Sequence, residues 1–158
     1  MICKADFSPC RTWRYSLHRI WDENKDLVAF IGLNPSTADE TQDDPTVRRC
    51  CGFVKKWGFG GLVMLNLFAF RATDPKQMKA AADPVGPKND EALVCYTKNR
   101  LVVCAWGCNG LFRDRHRKVL DLLGGRRKLL CLELTKDHLP KHPLYLRADL
   151  VPFAMPTE

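Results

Sequence analysis

A chain of 158 residues, 46% hydrophobic and 27% charged, has the composition of a globular protein and excludes a disordered, coiled-coil or collagen-like polymer. No apolar run approaches the roughly 18 residues that a bilayer-spanning helix needs, and MICKADFSPCRTWRYSL lacks the apolar stretch of a secretory signal, so a cytoplasmic protein without membrane contact is expected. The formal net charge of +7, from 25 Lys+Arg against 18 Asp+Glu, suits a polyanionic partner without specifying one.

In chain order, RTWRYSLHRIWD reads as a short amphipathic helix or turn. Four apolar runs then read as strands: 27–34 (LVAFIGLN), 61–70 (GLVMLNLFAF), 100–106 (RLVVCAW) and 128–134 (KLLCLEL). They are continuous rather than alternating, the pattern of a sheet covered on both faces. Between the first two, DPTVRRCCGFVKKWG carries a helix start, with Asp44 as cap and Pro45 in the first turn. Val47, Cys51, Val54 and Phe53 or Trp57 make its apolar stripe, and Gly58 with Gly60-Gly61 ends it. Residues 83–99 begin as a Pro/Gly loop and become a helix from Asn89. A third helix runs from Leu111 to Leu123 and stops at Gly124-Gly125.

The last dozen residues read as a trailing loop. The order α-β-α-β-α-β-α-β, with crossovers long enough for parallel pairing, predicts an α/β fold. The expected architecture is a three-layer α/β/α sandwich around a four-stranded, mainly parallel sheet, with residues 1–158 forming one domain.

The eight cysteines include no CxxC pair, and several sit inside apolar runs, so they read as reduced core residues. The four histidines, at positions 18, 116, 138 and 142, lack zinc-site spacing. No Walker loop and no G-x-S-x-G elbow is present. Neither a metal nor another cofactor is expected.

Ligands of such sheets bind beyond the carboxyl ends of the strands. That rule selects the loops at Asn34-Pro35-Ser36, Asn66 through Arg71, Trp106-Gly107 and Thr135 through Tyr145. Polar residues gather there: Thr37, Asp39, Thr73, Asp74, Asn109 and His138 join Asn34, Ser36, Asn66, Arg71 and His142. GLNPSTADETQDDP is either a hydrogen-bonded turn or an anion-receiving loop. Asn66, inside an apolar strand, either satisfies a neighbouring loop or faces a pocket and reads a donor–acceptor edge such as a pyrimidine's. His142 is either a surface histidine or a donor to negative charge on a leaving group. Lys136, Lys141 and Arg147 are a solvated face or phosphate contacts.

These segments (FIGLNPSTADE, DDPTVRRC, WGFGGLVMLNLFAFRATDP, DPVGPKND, AWGCNG and TKDHLPKHPLYL) resemble the DUF1643 family from about Arg14 to Leu146, leaving 147–158 as a tail. More distantly, their order is similar to that of the uracil-DNA glycosylase superfamily, α/β/α enzymes that flip a base from DNA and hydrolyse its N-glycosidic bond without a metal. GLNPS resembles the GINPG motif of the mismatch-specific branch, which implies that Asn34 orients the attacking water. LVMLNLFAFRA resembles the strand whose Asn reads the uracil edge, which implies that role for Asn66. PKHPLYL is similar to the HPS-type motif, which implies that His142 stabilises the departing base anion.

The resemblance further implies DNA as partner, in repair or base modification. Pro35, Ser36, Phe68, Arg71, Trp106 and Tyr145 then join Asn66 as substrate contacts, with Phe68, Phe70 and Trp106 as stacking surfaces or pocket wall. Lys136, Lys141 and Arg147 become nucleic-acid contacts. The chain departs from the pattern where Asn34 stands in place of the Asp of the most active branch and Leu144 in place of the phosphate-touching Ser. Asp39, Asp43 and Asp44 are the nearby carboxylates, with Asp44 better explained as a cap. Cys95 falls near one ligand position of the branches with an iron–sulfur cluster, but Phe70 occupies another and CxxC is absent, so no cluster is expected.

Overall fold

The chain opens with a hairpin where the sequence reads as a helix or turn. In the computed structural model, which describes residues 1–156, β1 (Ile2–Phe7) and β2 (Arg14–Ile20) pair antiparallel. The polar residues of RYSLHRI imitate a solvent-facing helix side, yet all but the last residue of β2 is buried. Partners make that burial tolerable: His18 Nε2 lies 3.2 Å from Ser16 Oγ, and Arg19 Nε donates to Asp43 at 2.7 Å. Buried polar groups persist where such bonds are made.

Next come β3 (Leu27–Gly32), α1 (Pro45–Lys56), β4 (Gly61–Asn66), α2 (Pro75–Ala80) and α3 (Asn89–Tyr96). They are followed by β5 (Leu101–Cys104), α4 (Arg115–Leu123), β6 (Leu129–Cys131) and β7 (Phe153–Ala154). The strand order is β1-β2-β4-β3-β5-β6-β7. The four strands built from the apolar runs, β4-β3-β5-β6, are mutually parallel as expected. The flanking pairs β1–β2, β2–β4 and β6–β7 are antiparallel.

The expectation of a four-stranded, mainly parallel sheet is therefore corrected: among the described residues it is one mixed sheet of seven strands. The added strands sit at its two sides, where antiparallel backbone pairing extends the edges of the parallel core. One of them, β7, lies in the tail expected to be a loop.

Side-chain alternation distributes the core between two faces. Val28 and Phe30 pack with Val47, Phe53 and Val54 of α1, whereas Ala29 and Ile31 pack with Leu93 of α3 and Val119 and Leu123 of α4. Helices thus cover both faces. Fully burying each such aliphatic or aromatic side chain contributes about 1.5–3 kcal/mol.

α1 starts where Asp44 accepts the Val47 N–H at 2.8 Å, a cap that contributes about 1 kcal/mol. α4 starts later than expected, at Arg115 rather than Leu111. Residues 108–114 form 3₁₀ turns, and Arg113 and Asp114 both adopt φ 55°, which an α-helix cannot accommodate. Gly124, at φ 64°, ends α4, the left-handed stop glycine favours.

The thiols are less uniformly buried than expected. Cys50, Cys104 and Cys131 are buried, while Cys3, Cys10, Cys95 and Cys108 are exposed, and all eight are free. No helix among the described residues is long and apolar enough to cross a membrane.

Candidate functional site

β3 connects through α1 to β4 on one side, and the chain then returns through α2 and α3 to β5 on the other side of β3. This reversal opens a crevice beyond the carboxyl ends of the central strands. A cleft of about 590 Å³ lies there. Its walls are the loop after β3, the first turn of α1, the end of β4, residues Ala105 to Asn109 and the segment His142 to Leu144. Each apolar run leaves the sheet two to four residues before it ends, and those released residues build the walls.

Asn66 closes β4 directly opposite Gly32 of β3. Only 4% of it is exposed, and it lines the cleft. Its amide nitrogen is buried without a hydrogen-bond partner. Such an orphaned donor costs about 1–3 kcal/mol, which an acceptor placed in the cleft would offset. The backbone beneath it is pinned instead. Asn89 Nδ2 donates to the carbonyls of Asn66 and Leu67, each at 3.0 Å, and Arg115 Nε donates to Leu67 O at 2.8 Å.

Asn34 is turned the other way. Its Nδ2 donates to Ala72 O at 2.8 Å and Pro35 O at 3.0 Å, tying the loop after β3 to the loop after β4. The Ala72 N–H to Pro35 O bond at 2.9 Å and the Ser36–Thr73 hydroxyl contact at 3.4 Å reinforce the tie. The Asn34 carbonyl oxygen takes no hydrogen bond from the described residues, so it can accept one from water or ligand.

His142 stands at the exposed rim of the cleft. The Leu144 N–H donates to its Nδ1 at 3.2 Å, which sets the neutral tautomer with hydrogen on Nε2. Although the residue is partly open to solvent, the protein around its ring desolvates it and lowers its pKa below the ordinary value, with Asp44 opposing. The result is a neutral N–H donor at physiological pH.

Trp106 is 2% exposed and forms part of the wall, its indole N–H buried without a partner. Gly110 packs against its edge, where any side chain would collide with the ring.

The cleft therefore brings together Asn34, Pro35, Ser36, Asn66, Trp106 and His142. Phe68 lies elsewhere, fully buried in the core against Phe112. Arg71 lines a neighbouring open groove with Arg11, Thr12 and Gln77, and its guanidinium stacks over Phe7. Tyr145 is 96% exposed and lines no cleft wall. Lys141 pairs with Glu133 at 3.2 Å and Arg147 with Asp149 at 3.3 Å, while Lys136 is exposed on the turn after β6.

Of the three carboxylates near the first motif, Asp39 folds back on Thr41 and Gln42 and Asp43 holds Arg19. Asp44, besides capping α1, lines the cleft. Arg14 also lines it; its segment reads from sequence as a helix or turn, which hides the residue. Among the described residues no group of three His, Cys, Asp or Glu is placed to hold a metal ion.

A family model described as a protein of unknown function, DUF1643, matches residues 14–144, a span that contains every wall of this cleft. The chain belongs to the DUF1643 family. The DUF1643 segment begins at Arg14 and ends at Leu144, both of which line the cleft. No curated protein and no solved structure matches the chain.

Proposed function

We propose that this DUF1643 protein is a DNA glycosylase-like hydrolase that cleaves the N-glycosidic bond of uracil or a modified pyrimidine. The observation carrying this reading is the Asn66 carboxamide, buried in the cleft with its amide donor unpartnered. A carboxamide offers one carbonyl and one NH2, the complement of a pyrimidine's polar edge. Enclosing a base in a cleft below the protein surface requires it to leave the helical stack, and Trp106 supplies an aromatic wall beside it.

Breaking this bond places positive charge on the sugar and negative charge on the base. The Nε2–H of His142 donates to the base oxygen as that charge develops, and its neutral state means no proton need be acquired first. The free carbonyl of Asn34 accepts a hydrogen bond from the attacking water and orients it toward the anomeric carbon. Asp44 contributes negative charge that stabilises the cationic sugar. The water then loses its proton to solvent, the departed base anion takes one up from solvent at its nitrogen, and the products are a free base and an abasic site. The +7 charge of the chain favours association with the phosphate backbone.

The test is a panel of oligonucleotides bearing uracil, mismatched bases and hydroxymethylated pyrimidines, assayed for abasic sites. Release of one base, lost in Asn34→Ala and His142→Ala, supports the mechanism. Absence of cleavage across the panel, or cleavage indifferent to both variants, removes it.

A second reading, hydrolysis or binding of a free nucleotide, is favoured by the ion pairs that occupy Lys141 and Arg147. It expects little affinity for duplex DNA and weak salt dependence.

A further inference from the structure

Among the described residues three arginines are buried, and two of them show how this fold stabilises such a charge. Arg19 donates from Nε to Asp43 and from its remaining nitrogens to the carbonyls of His18, Asp39 and Gln42. Arg115 donates from Nε to Leu67 O and from Nη2 to Asp90 at 2.7 Å. Both have a carboxylate in contact and a partner for Nε. A buried charge without such compensation costs several kcal/mol.

Arg14 has neither. It is 3% exposed, and its one hydrogen bond from the side chain runs from Nη1 to Ala38 O at 3.0 Å. Nε is buried without an acceptor, and Nη2 has no partner among the described residues. The carboxylates of Asp44 and, more weakly, Asp39 act on it through space without forming an ion pair. Burial lowers the guanidinium pKa to about 10, still far above neutrality, so the group is a cation at physiological pH. Its backbone is fixed by the Arg14 N–H to Ala69 O bond at 2.9 Å, and the side chain lines the cleft.

The nitrogens left free are the two along one edge of the guanidinium. Nε and Nη2 form the fork that grips two oxygens of a phosphate or carboxylate, while Nη1 is the anchor. We propose that the Nε–Nη2 edge of Arg14 is an oxyanion site that takes a phosphate of the ligand entering the cleft. The proposal rests on the reading of the cleft as a nucleotide site. It adds that the ligand is recognised by a phosphate at depth as well as by its base. The phosphate is either the terminal group of a mononucleotide or the diester flanking a base drawn out of a strand.

The experiment follows the Arg14 Nε–H resonance in ¹⁵N-labelled protein during titration with inorganic phosphate, uridine, uridine monophosphate and a short uracil-containing oligonucleotide. Saturable movement of that resonance with inorganic phosphate is expected, with the monophosphate binding at least about tenfold more tightly than uridine. In Arg14→Gln the two should bind equally, at the affinity uridine has for the unsubstituted protein. Arg14→Lys, which keeps the charge but loses the fork, should restore only part of the difference.

If Arg14→Gln does not fold, the resonance of the unsubstituted protein decides alone. The mononucleotide and oligonucleotide arms identify the phosphate source by which of them moves it. An Arg14 resonance that phosphate leaves in place, or equal affinities for uridine and its monophosphate, overturns the site. Movement with inorganic phosphate but no base release leaves the anion site standing while the glycosylase reading fails.

Discussion

Gly32 and Asn66 face each other at the carboxyl ends of β3 and β4, and the missing side chain of one makes room for the carboxamide of the other. A Cβ built on Gly32 would lie 3.0 Å from Asn66 Oδ1, closer than such contacts normally come. The Asn66 carboxamide is the end of a flexible side chain and can yield by a few tenths of an ångström. Gly32→Ala is therefore expected to change stability by less than about 1 kcal/mol while weakening ligand binding several-fold, because the displaced group is the one proposed to read the ligand. Thermal unfolding and ligand titration of the same variant check the two halves separately.

Asp44 both caps α1 and lines the cleft, and substitution can separate the cap from the proposed role of its charge. Asp44→Ala removes the cap on α1 and should cost about 1 kcal/mol. Asp44→Asn keeps an acceptor for the Val47 N–H and should unfold within about 0.5 kcal/mol of the parent. If its charge stabilises the cationic sugar, Asp44→Asn lowers base release by about tenfold or more at unchanged stability. A purely structural Asp44 leaves turnover of the Asn variant intact.

His18 makes the fold sensitive to mild acid. Its burial in β2, with Lys4, Arg100 and Arg19 adding repulsion, lowers its pKa from 6.5 to about 4. Between those values the unfolded chain binds a proton that the folded protein does not, so stability falls as pH drops through that window and levels off below it. The loss is on the order of 3 kcal/mol. Urea unfolding at neutral and mildly acidic pH measures it, and His18→Gln should flatten the slope.

Cys10 is expected to be the thiol that reacts first. The hydroxyls of Thr12 and Ser8 stabilise its thiolate and bring its pKa from 9.0 to about 7, and the residue is exposed. Burial raises the pKa of Cys50 and Cys104 instead. Brief alkylation near neutral pH followed by peptide mapping should label Cys10 ahead of the other thiols; preferential labelling of Cys3 or Cys95 contradicts this.

The cleft is legible in the sequence where its walls coincide with strand ends. Asn34, Asn66, Trp106 and His142 each fall within or after a continuous apolar run, and the crossover rule places such positions on one side of the sheet. Arg14 is illegible because β2 disguises itself. Its buried arginines are held by residues distant in sequence, Arg19 by Asp43 and Arg14 by Ala38, and no local periodicity reports that. β7 has two residues, too few for a pattern. α2 is different, since Asp74 caps the Lys76 N–H at 2.9 Å ahead of Pro75, the same signal that marks α1. Phe68 and Trp106 show the remaining ambiguity: both are aromatic residues in apolar runs, and only three dimensions separate a core side chain from a cleft wall.

Titration of the protein with free uracil tests the central claim most directly, comparing the unsubstituted chain with Asn66→Ala. The Asn66→Ala protein should unfold at a temperature equal to or above the parent's, because a buried unpaired donor has been removed. Its affinity for uracil should fall at least about tenfold. Equal affinity in the two proteins, or no saturable binding of uracil or any pyrimidine by the unsubstituted chain, contradicts a base-reading cleft.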